Sequence, residues 1–276
     1  MRKLILASAV ALAALAPVAG HAAGGDSIFP MPPVKWSFSG PFGTYDRAAA
    51  QRGFQVFKEV CTACHSLSLV AYRNLTELGL TENQVKAIAA EYQVPDLNDE
   101  GQPIERPARL SDRFKKPFAN DAAAAAANQG KAPPDLSLIV KARAGGADYT
   151  YALLVGYADY AKLSAEDKAK LDKQVQKASG DPKAKFEVTK DENFNKYFPG
   201  YKISMAAPLA ADKVTYVDGT KATLEQLSAD VTHFLAWASE PKLEDRKRTG
   251  VRVLLFLLVL TGLMYAVKRQ VWADKH

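Results

Sequence analysis

The segment Cys61-Thr62-Ala63-Cys64-His65 constrains the fold of this chain more than any other part of its sequence. Two thiols separated by two residues and followed at once by an imidazole are the pattern of covalent haem c attachment. The thiols are spaced to form thioethers with the two vinyl groups of one porphyrin, and His65 can then bind the iron. The chain has no other cysteines. The segment therefore predicts one haem c, attached to Cys61 and Cys64 and ligated by His65.

Two other uses of a CxxC pair remain open at this point. A thiol–disulfide redox centre normally lies between a strand and a helix of a βαβ unit. Here the pair follows a helical pattern, in which Phe54, Phe57 and Cys61 recur at helical spacing. A structural disulfide is the second alternative, and it gives no role to His65. The helical context and the histidine favour haem attachment over both.

The N-terminus has the layout of a secretory signal peptide. Arg2 and Lys3 precede an apolar run over residues 4–18, which small residues follow. This order of charge, apolar run and small residues is typical of a signal peptide that is cleaved on export. We expect a signal peptide over residues 1–22, with an uncleaved N-terminal anchor as the alternative.

A second apolar run predicts one membrane span near the C-terminus. Residues 250–267 form a run of eighteen residues, within the roughly 17–25 that a helix needs to cross a bilayer. We therefore expect a haem domain over residues 23–241, and a C-terminal transmembrane anchor with a short cytoplasmic tail over residues 242–276.

The charge distribution excludes a nucleic-acid partner, although the isoelectric point is about 9.1. Residues 23–241 contain 26 Lys and Arg against 27 Asp and Glu, a net charge of −1. The basic excess lies at the chain ends and around the apolar run, which indicates lipid headgroups. Five basic residues lie between Pro241 and the uninterrupted apolar run that starts at Val253, and three follow Val267, which opposes the positive-inside rule. Export and haem attachment nevertheless require the domain on the periplasmic side of a bacterial inner membrane.

Helical periodicity predicts a mainly α fold. One helix extends from about Tyr45 to Val60, and the best-defined helix starts at a capping box of Thr223 and Gln226 and ends before Pro241. The other predicted elements are a loop over 96–120, a short helix over 122–127, a helix capped by Ser137, a helix over 147–160, and a solvated Lys-rich insertion over 162–196 with a helix capped by Ser164.

Elimination favours Met205 as the second iron ligand. Met31 lies in an irregular N-terminal stretch and Met264 in the membrane run, whereas Met205 lies in a loop before the last domain helix. His233 falls opposite the apolar face of that helix, where we expect it to face solvent, and His276 ends the chain. A thioether opposite imidazole favours ferrous iron. A methionine that only packs in the core is the alternative.

The spacing of three residues on the first helix and several longer motifs resemble those of a known family. Gly53, Phe57 and Cys61 lie four residues apart on one helix face, as in class I cytochromes c, whose first helix crosses the last one closely at the glycine. More extended matches cover most of the chain from about residue 36, and with them the chain resembles the cytochrome c1 family. These matches are Arg52–Cys61, Pro133–Ser137, Lys141–Gly146, the Met205 loop, Tyr216–Thr220 and Trp237–Lys242.

The resemblance implies a class I cytochrome c-like haem domain with loop insertions and one C-terminal transmembrane helix. It also implies that Pro133 and Pro134 line the haem, that a proline carbonyl accepts the imidazole N–H of His65, and that Arg143 lies near a propionate. The other positions that it places around the haem are Asn128, Ile139, Tyr149, Leu153, Phe198 and Ile203. Some family members have a cysteine pair in the insertion, and this chain has none.

The function implied by the resemblance is electron transfer within the cytochrome bc1 (quinol–cytochrome c oxidoreductase) complex. The chain would accept an electron from the Rieske iron–sulfur protein and pass it to a cytochrome c, with its span beside cytochrome b. It would carry electrons without quinone chemistry of its own. A stand-alone membrane-anchored electron shuttle that feeds a terminal oxidase is the alternative.

Overall fold

The computed structural model describes residues 27–275, so the signal peptide expected over residues 1–22 lies outside the described residues. The described chain is mainly α-helical, as predicted, and ends in one long helix. The helices are α1 (Arg47–Glu59), α2 (Glu82–Ala90), α3 (Asp121–Ala127), α4 (Ile139–Ala142), α5 (Gly146–Val155), α6 (Ala165–Ser179), α7 (Leu224–Ser239) and α8 (Leu243–Trp272). Two antiparallel ribbons pair β1 (Gln93–Leu97) with β2 (Pro103–Pro107) and β3 (Asn193–Phe194) with β4 (Lys202–Ile203).

The close crossing of α1 and α7 forms the centre of the main core. A Cβ atom added to Gly53 would lie 1.9 Å from the carbonyl oxygen of Asp230 and 2.8 Å from Cβ of Phe234. Phe54 and Phe57 pack on Phe234 with ring centroids 5.6 and 5.3 Å apart. The glycine that we expected to permit a close crossing is therefore at the point of closest contact.

A buried ion pair fixes the same crossing. Nε and Nη2 of Arg52 donate to the two carboxylate oxygens of Asp230 at 2.9 and 3.0 Å, and Asp230 is only 1% exposed. Nη1 of Arg52 also donates to Asp218 at 3.1 Å. Thr223 caps α7 by accepting the N–H of Gln226, but the Gln226 side chain donates to Asp230. The predicted capping box is therefore only half formed, because the Gln226 side chain serves as a further donor to the buried Asp230 carboxylate.

The loop predicted over residues 96–120 begins with a β-hairpin. Its register pairs Gln93 with Pro107 and Leu97 with Pro103. A ribbon of two strands has only edges, so prolines are tolerated in it. The helix predicted to reach residue 160 ends at Val155, because the following residues pair with the segment that leads into β4.

The Lys-rich insertion is not solvated throughout, because one face of it builds a second core. Ser164 caps α6 by accepting the N–H of Asp167, as predicted. The second core consists of Leu171, Phe186, Phe194 and Tyr201, with Phe29 of the N-terminal segment packed edge-on against it. Aromatic packing therefore holds this region, which contains no cysteine.

Helix α8 is long and apolar enough to cross a membrane, and its apolar part is not buried in the described structure. It starts at Leu243, earlier than the apolar run, because its first turns pack on the domain. Arg47 donates from both Nη atoms to Glu244 at 2.7 and 2.9 Å. Lys247 donates to the carbonyl oxygens of Phe38 and Gly43 at 2.6 and 3.1 Å. These contacts join the start of α8 to the domain.

We predict that Gly53→Ala destabilises the domain even though alanine is the better helix former. The new Cβ meets backbone atoms of α7, so the helices must separate, and overpacking of this kind costs about 1–3 kcal/mol. Thermal unfolding followed by circular dichroism should show a midpoint lowered by about 2–4 °C for each kcal/mol lost. Gly250→Ala, where nothing lies within 4 Å of the new atom, is the matched control. A midpoint of Gly53→Ala equal to that of the parent would show that the crossing is not close.

Candidate haem site

The Cys61–His65 segment continues directly from α1 as a tight turn. Residues Cys61–Ala63 form a 3₁₀ turn, and the N–H of His65 donates to the carbonyl of Cys61 at 2.9 Å. Both thiols are free; Cys61 packs against the main core and Cys64 is exposed. Burial raises the pKa of the Cys61 thiol to about 12, and Cys64 adds to the shift. A nucleophilic cysteine of a thiol oxidoreductase has a lowered pKa, so this environment argues against that alternative.

The imidazole of His65 is oriented by a backbone carbonyl. Its Nδ1–H donates to the carbonyl oxygen of Pro134 at 2.8 Å, which leaves the lone pair of Nε2 for a metal. Burial lowers the pKa of His65, while the bond to Pro134 opposes that effect. The ring is therefore held neutral in the tautomer that an iron ligand requires.

The Asp135 carboxylate holds the proline loop against the haem motif. It accepts the hydroxyl of Ser66 at 2.8 Å and the backbone N–H groups of Ser68 and Ser137 at 2.9 and 2.7 Å. Burial alone would raise the pKa of Asp135, but its hydrogen bonds with Ser137 and Ser68 outweigh burial and hold that pKa well below its usual range. No local sequence signal indicates this role of Asp135, because Ser66 and Ser68 lie far from it in the chain.

The prediction that Ser137 caps a helix was wrong. Its hydroxyl oxygen accepts the N–H of Leu69 at 3.0 Å, and α4 begins after Leu138 without a side-chain cap. The hydroxyl is used across the two loops because Leu69 belongs to the segment that follows His65. Ser137 therefore stabilises the approach of Pro134 to the motif.

Met205 lies half-buried in the loop after β4, and several side chains hold this loop. The hydroxyl of Tyr157 donates to the carbonyl of Met205 at 3.1 Å. The amide of Asn193 donates to the carbonyl of Ser204 at 3.3 Å, and the ammonium of Lys131 donates to its hydroxyl at 2.7 Å. The loop of residues 128–134 thus makes two contacts. Its Lys131 contacts the Met205 loop, and its Pro134 contacts His65.

The remaining predicted positions lie on the elements between these contacts. Asn128 ends α3 and donates to the carbonyl of Ala124 at 2.8 Å. Tyr149 and Leu153 lie one turn apart on α5, and Tyr149 is buried. The other positions are Pro133, which is half-buried, Ile139 at the start of α4 against the main core, Arg143, which is exposed after α4, Phe198, which is half-buried, and Ile203, which is buried.

Comparison with known proteins places this geometry in a family. The profile of the Cytochrome C1 family matches residues 36–275. The chain is 48% identical to cytochrome c1 of Rhodospirillum rubrum over 87% of each chain. It is 44% identical to "Cytochrome c1, heme protein, mitochondrial" of Saccharomyces cerevisiae, over 88% of this chain and 72% of that protein. It is 45% identical to "Cytochrome b-c1 complex catalytic subunit, mitochondrial" of Candida albicans, over 87% of this chain and 77% of that protein.

The chain belongs to the cytochrome c1 family. Its residues fit a haem c in the chemistry of their donor atoms. The two free thiols suit covalent attachment of the porphyrin, and a neutral imidazole with an available Nε2 and a thioether in a held loop are types of group that bind haem iron.

His233 does not face solvent in this member of the cytochrome c1 family, so that prediction was wrong. Its ring is half-buried between Trp36 and Phe38, with centroids 5.1 and 5.3 Å away. Its Nδ1 bonds to the carbonyl of Ala229 at 3.1 Å. The helical pattern of α7 showed only which face joins the main core, whereas the N-terminal segment covers the opposite face.

We predict that Asp135→Asn destabilises the chain in a pH-dependent way. The pKa of Asp135 is lower in the folded chain than in the unfolded one, so its charge stabilises the fold above the unfolded value of about 3.9 and this stabilisation is lost at lower pH. Denaturant unfolding should therefore show that the variant loses more free energy of unfolding, relative to the parent, at about pH 6 than at about pH 3. Asp99→Asn, in the exposed hairpin loop, should match the parent at both pH values. An equal loss of unfolding free energy for Asp135→Asn at both pH values would contradict the stabilising role of the carboxylate charge.

Proposed function

We propose that this chain is the haem-bearing electron-transfer subunit of a cytochrome bc1 complex. One haem c would be attached to Cys61 and Cys64, with His65 as an axial ligand. The observation that carries this proposal is the imidazole that directly follows two free thiols and is turned by Pro134 so that its Nε2 is available. When bound, the haem supplies a one-electron ferric/ferrous couple.

We propose Met205 as the second axial ligand. Met264 lies on α8 in the apolar span, and Met31 lies in the N-terminal segment. The Met205 loop is instead joined through Lys131 to the same loop that supplies Pro134 to His65. A soft thioether raises the reduction potential relative to a second nitrogen ligand.

The surrounding positions would form the walls of the haem pocket. Arg143 would face a propionate from its exposed position after α4, close enough to Tyr149 for its charge to lower the pKa that burial raises. The other wall residues would be Asn128, Pro133, Pro134, Ile139, Tyr149, Leu153, Phe198 and Ile203. These residues exclude water and orient the group, and no acid–base residue is needed for electron transfer.

The partners proposed are the Rieske iron–sulfur protein as electron donor, a cytochrome c as acceptor, and cytochrome b beside α8. The Candida albicans relative, which is named as a subunit of a cytochrome b-c1 complex, supports membership of such a complex. The net charge of −1 over residues 23–241, made more negative by two propionates, suits a basic cytochrome c. Quinol oxidation would belong to the whole complex, to which this chain contributes the c haem.

The proposed location is a bacterial inner membrane, with the haem domain on the periplasmic side. Residues 1–22 would be removed as a signal peptide, residues 23–241 would form the domain, and residues 242–276 would form the anchor and tail. The length and apolar surface of α8 support a single span in contact with lipid. The contacts of Arg47 with Glu244 would keep the domain close to the membrane.

The experiment that tests the function is purification of the tagged full-length chain from membranes in mild detergent, with optical spectra. We expect one c-type and additional b-type haem signals, reduction by a quinol, and reoxidation by cytochrome c. Membranes without the tagged chain, taken through the same purification, are the control. A c-type signal without b haems would indicate a stand-alone electron shuttle, and the absence of any haem would contradict the proposal.

A further inference from the structure

We propose that Tyr157 and Asn195 are positioning residues that hold the Met205 loop against the end of α5. This inference rests on the proposed ligation of iron by Met205. The two residues lie opposite each other in an antiparallel bridge. Together they join the loop that carries the thioether to the helix that carries Tyr149 and Leu153.

Tyr157 makes the direct contact with the ligand residue. It lies two residues after the end of α5, and its hydroxyl donates to the carbonyl of Met205 at 3.1 Å. The bond fixes the backbone of the residue and leaves the sulfur free. A backbone carbonyl held in this way limits the positions that the thioether can reach.

Asn195 connects the same helix to the segment that leads into β4. Its side chain is completely buried, and its side-chain hydrogen bonds within residues 27–275 are all to backbone groups. The amide nitrogen donates to the carbonyl of Leu153 at 2.8 Å, and the amide oxygen accepts the N–H groups of Tyr197 and Phe198 at 3.0 and 3.2 Å. Its own N–H donates to the carbonyl of Tyr201 at 3.0 Å. A buried amide satisfied in this way makes its surroundings rigid.

Gly156 shows how closely the two parts approach each other. A Cβ atom at this position would lie 2.5 Å from Cδ2 of Tyr197 and 2.8 Å from Oδ1 of Asn195. The carbonyl of Gly156 also accepts the N–H of Lys196 at 3.0 Å. The segment after α6 is therefore seated directly on the end of α5, and the Met205 loop follows from it.

The consequence is specific to one side of the haem. His65 is held by the loop of Pro134 and Asp135, which shares no hydrogen bond with Tyr157 or Asn195 among the described residues. Loss of the Tyr157 hydroxyl should thus loosen the Met205 loop, which Asn193 and Lys131 still contact, without affecting attachment of the haem or its bond to His65. The population in which the thioether has left the iron should rise.

The test is Tyr157→Phe in the full-length protein, with imidazole as the probe ligand for ferric haem. Imidazole replaces the thioether, so its apparent affinity reports how readily the loop opens. We expect the apparent affinity of Tyr157→Phe for imidazole to rise about fivefold, because a fivefold change corresponds to the loss of one hydrogen bond of about 1 kcal/mol. The reduction potential should fall and the thioether-to-iron charge-transfer absorption should weaken. Tyr160→Phe is the matched control, because its hydroxyl donates to the carbonyl of Phe186 at 3.0 Å in the second core.

Asn195→Asp is the second variant, since it replaces the donor to Leu153 by an acceptor of the same shape. We expect it to weaken the same absorption, with the c-type haem still attached. The inference is overturned if Tyr157→Phe has the same imidazole affinity and reduction potential as the parent. It is also overturned if Tyr160→Phe changes both quantities as much as Tyr157→Phe does.

Met205→Lys separates this inference from the proposed ligation. Disappearance of the charge-transfer absorption in Met205→Lys, together with the expected change in Tyr157→Phe, supports both. Its disappearance with no change in Tyr157→Phe overturns the positioning role alone. An unchanged absorption in Met205→Lys overturns the ligation, and the positioning role with it.

Discussion

The close crossing of α1 and α7 at Gly53 is the constraint on which the rest of the structure depends. Because α1 ends at Glu59, two residues before Cys61, the crossing fixes where the two thiols and His65 lie. Because α7 is followed within a few residues by α8, the same crossing fixes where the helix that is long and apolar enough to span a membrane starts. One backbone contact, closed by the Arg52–Asp230 ion pair, therefore relates the proposed haem site to α8.

The two sides of the proposed haem are held by different means. On the side of His65, the Asp135 carboxylate gathers a hydroxyl and two backbone N–H groups and holds Pro134 against the imidazole. On the side of Met205, the Tyr157 hydroxyl and the Asn195 amide bond to backbone groups, and the Lys131 ammonium bonds to the Ser204 hydroxyl. The first side depends on a charge and is sensitive to acid. The second depends on the segment after α6, which aromatic packing stabilises.

Most of the fold could be predicted from the sequence, because its signals are local. The spacing of Gly53, Phe57 and Cys61 predicted the crossing, and the apolar run after Gly250 predicted the span. Two of the errors arose where distant segments meet. The face of α7 that carries His233 is covered by Trp36 and Phe38, and the Ser137 hydroxyl is used by Leu69. No periodicity within one helix or loop indicates such contacts.

Covalent attachment of a porphyrin to Cys61 and Cys64 is the central requirement of the proposed function. The direct measurement is the mass of the denatured mature chain, purified from cells with a working cytochrome c maturation system, beside its Cys61→Ser, Cys64→Ser double variant. We predict that the parent carries the added mass of one haem and keeps its haem absorption through denaturation, whereas the double variant has neither. A parent mass equal to that of the bare polypeptide would contradict the account.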